Sequence, residues 1–160
     1  KVFTGVLAQR IERVNMTIGG ATQFAEQRVV SGNFFEVLGV RAGLGRVLGP
    51  GDDRVRGGHP VVVLSHGFWL ERFGGRLDVV GETVRLNGYP FTIVGVSQTG
   101  FTGLEIGSPA DVFVPAAMLG EVTTYGSALD SRRSPAWPPT PTCARVKSAG
   151  CATWTPPAPR

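Results

Sequence analysis

Val63-Leu64-Ser65-His66-Gly67 places a serine next to a histidine, between an apolar run and a helix-forming stretch. A serine on a strand-to-helix turn is where an α/β-hydrolase exposes its nucleophilic Oγ. A histidine in reach would take the serine's proton, so the chemistry on offer is hydrolysis of an ester. The pattern departs from that motif in two respects. Val63 stands where G-x-S-x-G needs its first glycine, and the base of that fold lies downstream of the serine, whereas the two histidines here are His59 and His66. Ser65 therefore reads first as the N-cap of a short helix, with His66 in its first turn at the surface. The alternative keeps Ser65 and His66 as the catalytic pair of a small serine hydrolase or esterase.

Other chemistry-bearing residues form no recognisable constellation. Asp52, Asp53 and His59 could hold a hard cation, since such ions favour clustered carboxylates, but they fall in a loop running from Gly49-Pro50-Gly51 to Gly57-Gly58, where solvated acids are ordinary. Gly43-Leu44-Gly45-Arg46-Val47-Leu48-Gly49 approaches a dinucleotide-binding loop, yet its third glycine comes one place late and no helix pattern follows, so these read as turn glycines. The remaining acids are scattered singly, without the paired spacing of general acid–base work. The expectation is a chain with no catalytic, metal or cofactor site of its own.

The elements that would position these residues follow from local pattern. Thr83-Val84-Arg85-Leu86 and Tyr89-Pro90-Phe91-Thr92-Ile93-Val94 flank Asn87-Gly88, the strongest two-residue hairpin signal. A type I′ turn there pairs Leu86 with Tyr89 and Val84 with Phe91. It buries Val84, Leu86, Tyr89, Phe91 and Ile93 and turns Thr83, Arg85 and Thr92 outward. Pro90, lacking an N–H, points to an outer edge opposite Arg85. Pro60-Val61-Val62-Val63-Leu64 reads as a buried strand, followed by a helix from Ser65 bearing Phe68, Trp69 and Phe73 and stopped at Gly74-Gly75. Gln27-Arg28-Val29-Val30 predicts a strand, Asn33 and Glu36 have capping-box spacing over a helix that ends at Gly39, and Asp111 to Pro115 predicts a last strand. The fold class is α+β: a mixed sheet with short helices and an Asn-Gly β-hairpin.

Composition sets the outer limits. The 160 residues suit one domain, with 42% hydrophobic side chains for a core and 18% charged ones. Apolar runs such as Pro60 to Leu64 are far short of the roughly 18 residues of a membrane-spanning helix. Residues 1–125 carry eleven basic and eleven acidic side chains. The net charge of +4 therefore comes from 126–160, where Arg132, Arg133, Arg145, Lys147 and Arg160 face Asp130 alone. That leaves no basic face for nucleic acid on the folded part. Seven of the twelve prolines also follow Gly126, so 126–160 reads as an irregular, disordered or degenerate tail on a domain of 1–125. Cys143 and Cys151 sit in that tail at a spacing that fits neither a redox nor a zinc motif. The opening Lys1-Val2-Phe3-Thr4-Gly5, without methionine or signal pattern, is expected of a fragment.

Several blocks occur together in order: Val30-Ser31-Gly32-Asn33-Phe34-Phe35-Glu36-Val37-Leu38-Gly39-Val40, then Leu44-Gly45-Arg46 and Asp52-Asp53; Val62-Val63-Leu64-Ser65-His66-Gly67-Phe68-Trp69 with Arg72-Phe73-Gly74-Gly75; Val80-Gly81 with Val84-Arg85-Leu86-Asn87-Gly88; Phe91-Thr92-Ile93-Val94-Gly95-Val96; and Gly100-Phe101 with Asp111-Val112-Phe113-Val114-Pro115. Over residues 28–119 this resembles the MacB-like periplasmic core domain of FtsX-type ABC transporter permeases. The resemblance implies a module on the periplasmic, extracytoplasmic face of the cytoplasmic membrane, set between the permease membrane helices. There it would bind partner protein, such as a periplasmic adaptor, or substrate, and pass on motion driven indirectly by a cytoplasmic ATPase. It implies core roles for Phe34, Phe35, Leu38, Trp69, Phe73 and Phe91 and turn roles for Gly39, Gly45, Gly74 and Gly88, with no catalytic residue. It also implies that apolar surface covered in the intact permease is open here, favouring self-association.

Overall fold

Two turns whose central residues both have positive φ shape the molecule: Gly19-Gly20, at 55° and 91°, and Asn87-Gly88, at 49° and 87°. Such turns twist in the sense that strands do, so each folds its flanking segments into a tight hairpin. The computed structural model describes residues 5–105 and 107–122; the proline-rich stretch, Cys143 and Cys151 lie outside them.

The first hairpin joins β1 (Gln9–Ile18) to β2 (Ala21–Val30). Then come α1 (Phe34–Leu38), β3 (Ala42–Gly45), a 3-10 turn over Pro50–Asp53, β4 (Val61–Leu64) and α2 (His66–Phe73). A second 3-10 turn at Leu77–Val79 leads to the hairpin of β5 (Thr83–Leu86) and β6 (Tyr89–Ser97). The described part ends with β7 (Val112–Pro115), a 3-10 turn over Ala116–Met118 and α3 (Leu119–Val122).

The seven strands form one mixed sheet in the order β3-β6-β4-β7-β2-β1-β5, and β5 also pairs with β6. The hydrogen-bonding circuit of six strands therefore closes on itself, with β3 added beside the far end of β6. The β2–β7 and β4–β6 pairs are parallel and the others antiparallel. One face carries Val14, Met16, Val62, Leu64, Val84, Leu86, Phe91, Ile93, Val112 and Val114, packed with Phe68 and Phe73 of α2 and with Met118 and Val122. The other carries Val30, Val63 and Phe113, covered by Phe34 and Phe35 of α1. Phe34, Phe35, Phe101 and Phe113 meet mostly edge to face, with centroids 5.2 to 6.3 Å apart.

The mixed α+β architecture expected from the sequence is present, and the Asn-Gly hairpin has the expected register, Leu86 opposite Tyr89 and Val84 opposite Phe91. The glycines at 39, 45, 74 and 88 all have positive φ, and Phe34, Phe35, Phe73 and Phe91 are buried, with Leu38 and Trp69 half-buried. Other expectations need correcting. β1 and β3 were not foreseen, and β2 is ten residues long rather than four. Pro90 does lie opposite Arg85 with an unpaired outer side, but that edge is local, because β4 joins β6 from Thr92 onward. Asn33 does precede α1, but no capping box forms. Its Nδ2 donates to the Val6 carbonyl, and its Oδ1 accepts from the Ser31 hydroxyl, both at 2.8 Å.

Candidate functional site

Ser65 sits where β4 ends and α2 begins, and its backbone is extended, at φ −73° and ψ 152°. Its Oγ accepts the Phe68 N–H at 3.3 Å, and its own N–H donates to the Asp111 carbonyl at 2.8 Å. The residue is 3% exposed. These are the bonds and burial of a helix cap, with the hydroxyl lone pair turned into the first turn of α2. His66 is half-buried, its ring 5.4 Å from that of Trp69 in an edge-on contact. Trp69 is fixed in turn by donation from its Nε1 to the Arg76 carbonyl at 2.8 Å.

The two adjacent acids of the glycine-rich loop are structural braces rather than solvated groups. Asp52 accepts two bonds from the Arg46 guanidinium, at 2.6 and 2.9 Å, and one from the Gly49 N–H at 3.0 Å. The Arg46 bonds, helped by the Gly49 N–H, hold its carboxyl below the usual range against the opposing effect of burial. Asp53 spends both oxygens on backbone donors, the N–H of Gly32 on Oδ2 at 3.0 Å and the N–H of Ala117 on Oδ1. Among the described residues no group of three potential metal-ligating side chains converges, and His59 lies exposed on the loop.

Two of the fully buried polar side chains are neighbours on β2. Gln27 is fully buried opposite Glu12, and neither of its amide atoms meets a hydrogen-bond partner among the described residues. Burial pushes the Glu12 carboxyl up, an effect the nearby Arg10 opposes. Arg28, fully buried on the opposite face, donates from Nη2 to the Ser108 carbonyl at 2.6 Å and hydroxyl at 2.9 Å, with Glu26 3.8 Å from Nη1. Burial likewise raises Asp111, whose carboxylate accepts the Glu26 N–H at 2.8 Å. Ser108 lies 80 residues from Arg28, and Asp111 lies 85 from Glu26, so no local signal marks these contacts.

An open cleft beside α1 is lined by Gly5, Asn33, Glu36 and Val37. Val37 and Val6, next to it, are 42% and 75% exposed. The arrangement offers an apolar lip and one carboxylate. No helix among the described residues is long and apolar enough to cross a membrane.

A family model described as the MacB-like periplasmic core domain matches residues 3–142. The chain is similar in structure to the periplasmic region of MacB from Actinobacillus actinomycetemcomitans, with a TM-score of 0.58 at 21% identity, covering 72% of this chain and 49% of that one. It is also similar to the extracellular domain of the noncanonic ABC-type transporter YknZ from Gram-positive bacteria, with a TM-score of 0.59 at 18% identity, covering 75% and 57%. A probable syringafactin export ATP-binding/permease protein, SyfD, of Pseudomonas syringae pv. syringae is 28% identical over 86 residues, 54% of this chain and 13% of that protein. The chain thus spans about half the length of these solved domains and a small part of the permease.

Proposed function

Because the chain belongs to the MacB-like periplasmic core domain family, we propose that it is the interaction module of an ABC transporter permease, held on the periplasmic side of the membrane. It binds a partner protein or the transported substrate and carries out no chemistry itself. The observation that carries this reading is the family match over residues 3–142. The polar inventory supports it: Ser65 Oγ, Asp52 and Asp53 are all engaged in holding the fold. The partners in this reading are other transporter components: the permease membrane helices, a periplasmic adaptor, and the cytoplasmic ATPase acting from a distance. The exposed valines beside the cleft give such a partner an apolar contact.

Two measurements test the reading. Short-chain ester, phosphate and glycoside substrates are offered to the chain and to Ser65→Ala; the expected result is no turnover, and turnover that Ser65→Ala abolishes would overturn it. In the parent permease, a photo-crosslinker at Val37 is expected to capture another component of the same transporter or its substrate. Capture of neither in actively transporting cells counts against the binding role.

A further inference from the structure

β2 and β7 are parallel neighbours that finish in register, Val30 beside Pro115, so the chain leaves the same end of the sheet twice. After β2 it passes through Ser31 and Gly32 into α1, whose Glu36 and Val37, with Asn33, line the cleft. After β7 it passes through Ala116–Met118 into α3. Asp53 stands between the two exits, with one carboxylate oxygen on the N–H of Gly32 and the other on the N–H of Ala117. A charged acceptor makes each bond stronger than its neutral counterpart.

The surroundings keep this brace tight. A β-carbon on Gly32 would lie 2.8 Å from Asp53 Cβ and 2.9 Å from Pro50 Cα, so the turn of Pro50–Asp53 packs directly on the bare backbone. Asp52 ties the same turn to Arg46 and Gly49. The Ala117 carbonyl accepts the Gly57 N–H at 2.9 Å. At the far end of this exit segment, the Val122 carbonyl accepts from Asn87 Nδ2. Residues 116–122 are thereby pinned at both ends, and the pin at Ala117 is shared with the start of α1.

We propose that Asp53 couples the exit segment 116–122 to the α1 edge of the cleft, so that loosening or displacing one is felt at the other. This deepens the proposed module role and rests on it, by naming the residue through which motion at the cleft reaches the chain beyond β7. Coupling of this kind is established by a mutant cycle rather than by proximity.

The test is hydrogen exchange on the whole chain in a cycle of Asn87→Gly and Asp53→Asn. Glycine keeps the left-handed turn without strain and removes both side-chain bonds of Asn87, the one to the Val122 carbonyl and the one its Oδ1 accepts from the Asn15 N–H on β1; asparagine keeps the shape of Asp53 but turns one acceptor into a donor. Asn87→Gly alone is expected to speed exchange by roughly three- to tenfold in 116–122 and also in 31–38, which Asn87 does not touch. With Asp53→Asn already present, Asn87→Gly should still quicken 116–122, and the Asn15 amide it uncovers, but no longer 31–38. The proposal fails if Asn87→Gly leaves 31–38 unchanged, or if its effect there survives Asp53→Asn. Should Asp53→Asn loosen the β5–β6 hairpin as well, Asp53→Ser replaces it in the cycle under the same criteria. No partner enters this assay, so its failure leaves the module reading standing, whereas a failed crosslink at Val37 leaves the coupling standing.

Discussion

The carbonyl oxygen of Arg46 occupies the space that a β-carbon on Gly95 would need, 2.1 Å from that position. The contact arises where β6 slips against β4: Val62 faces Ile93 but Val63 faces Gly95, which leaves Val94 as the extra residue. Val94 uses its carbonyl to accept the Arg46 N–H at 3.0 Å, drawing the end of β3 over Gly95. That seating is what brings the Arg46 guanidinium to Asp52. One missing side chain on β6 thus helps to set the loop that carries Asp52 and Asp53.

Gly95→Ala should therefore cost about 3 kcal/mol or more, because backbone rather than a flexible side chain must give way. In thermal melts this is a loss of roughly 10 °C or more. Gly51, which has open space around its α-carbon, is the control: Gly51→Ala should stay within about 0.5 kcal/mol of the parent. Equal effects at the two positions would show that the close approach of Arg46 carries no weight.

Asp52 makes stability depend on acid pH with a definite sign. Its folded carboxyl lies below the usual range, chiefly through the Arg46 bonds. Its contribution is therefore complete above the unfolded value of about 3.9 and is lost as pH falls through the folded value. Urea titrations should find Asp52→Asn less stable by about 1 kcal/mol near neutrality, a modest figure because Arg46 is half-exposed. The gap should begin to close below roughly pH 4 and narrow further as pH falls through the folded value. Glu12 and Asp111, raised by burial, act in the opposite sense, and their contribution falls as pH rises from the unfolded value through the folded one. Taking the difference from the parent isolates Asp52. A gap that persists unchanged into acid would remove the Arg46 bonds as its cause.

Ser65 gives a rank order that separates a cap from a nucleophile and from simple packing. If its hydroxyl caps α2, Ser65→Ala costs about 1 kcal/mol and Ser65→Gly only a few tenths. Loss of packing at this buried position would instead make glycine the worse substitution. Neither variant should change turnover of an ester substrate. Chemical denaturation of the three proteins side by side decides it.

What could be read from the sequence was whatever the chain decides within a few residues. Asn87-Gly88 gave its hairpin in register because a two-residue turn fixes which side chains face each other. Ser65 and Gly74 marked the ends of α2 for the same local reason. β1 escaped because its two faces do not contrast: Arg10 and Glu12 fall on the same face as Val14 and Met16, while Ile11 shares the outer face with Arg13 and Asn15. The braces were hidden by distance along the chain. Asp53 meets partners 21 and 64 residues away, and Asn87 meets Val122 across 35, so residue type alone showed a loop acid and a turn former. Asn33 had the spacing for a capping box, but the carbonyl of Val6 and the hydroxyl of Ser31 took its side chain first.

The placement of the domain boundary yields the last prediction. Val122 is fully buried, and its carbonyl is held by Asn87, so the core needs the chain to reach at least that residue. Beyond Gly126 the composition turns to proline and arginine, which gives little apolar surface to bury. A chain ending at residue 125 should keep its melting temperature within about 2 °C of the parent. One ending at Pro115 should lose several kcal/mol, on the order of 2 or more for each of the buried Met118 and Val122 side chains. The family match runs on to residue 142, so the opposite result has a clear meaning. A large drop on cutting at 125 would place part of 126–142 within the fold and move the boundary there.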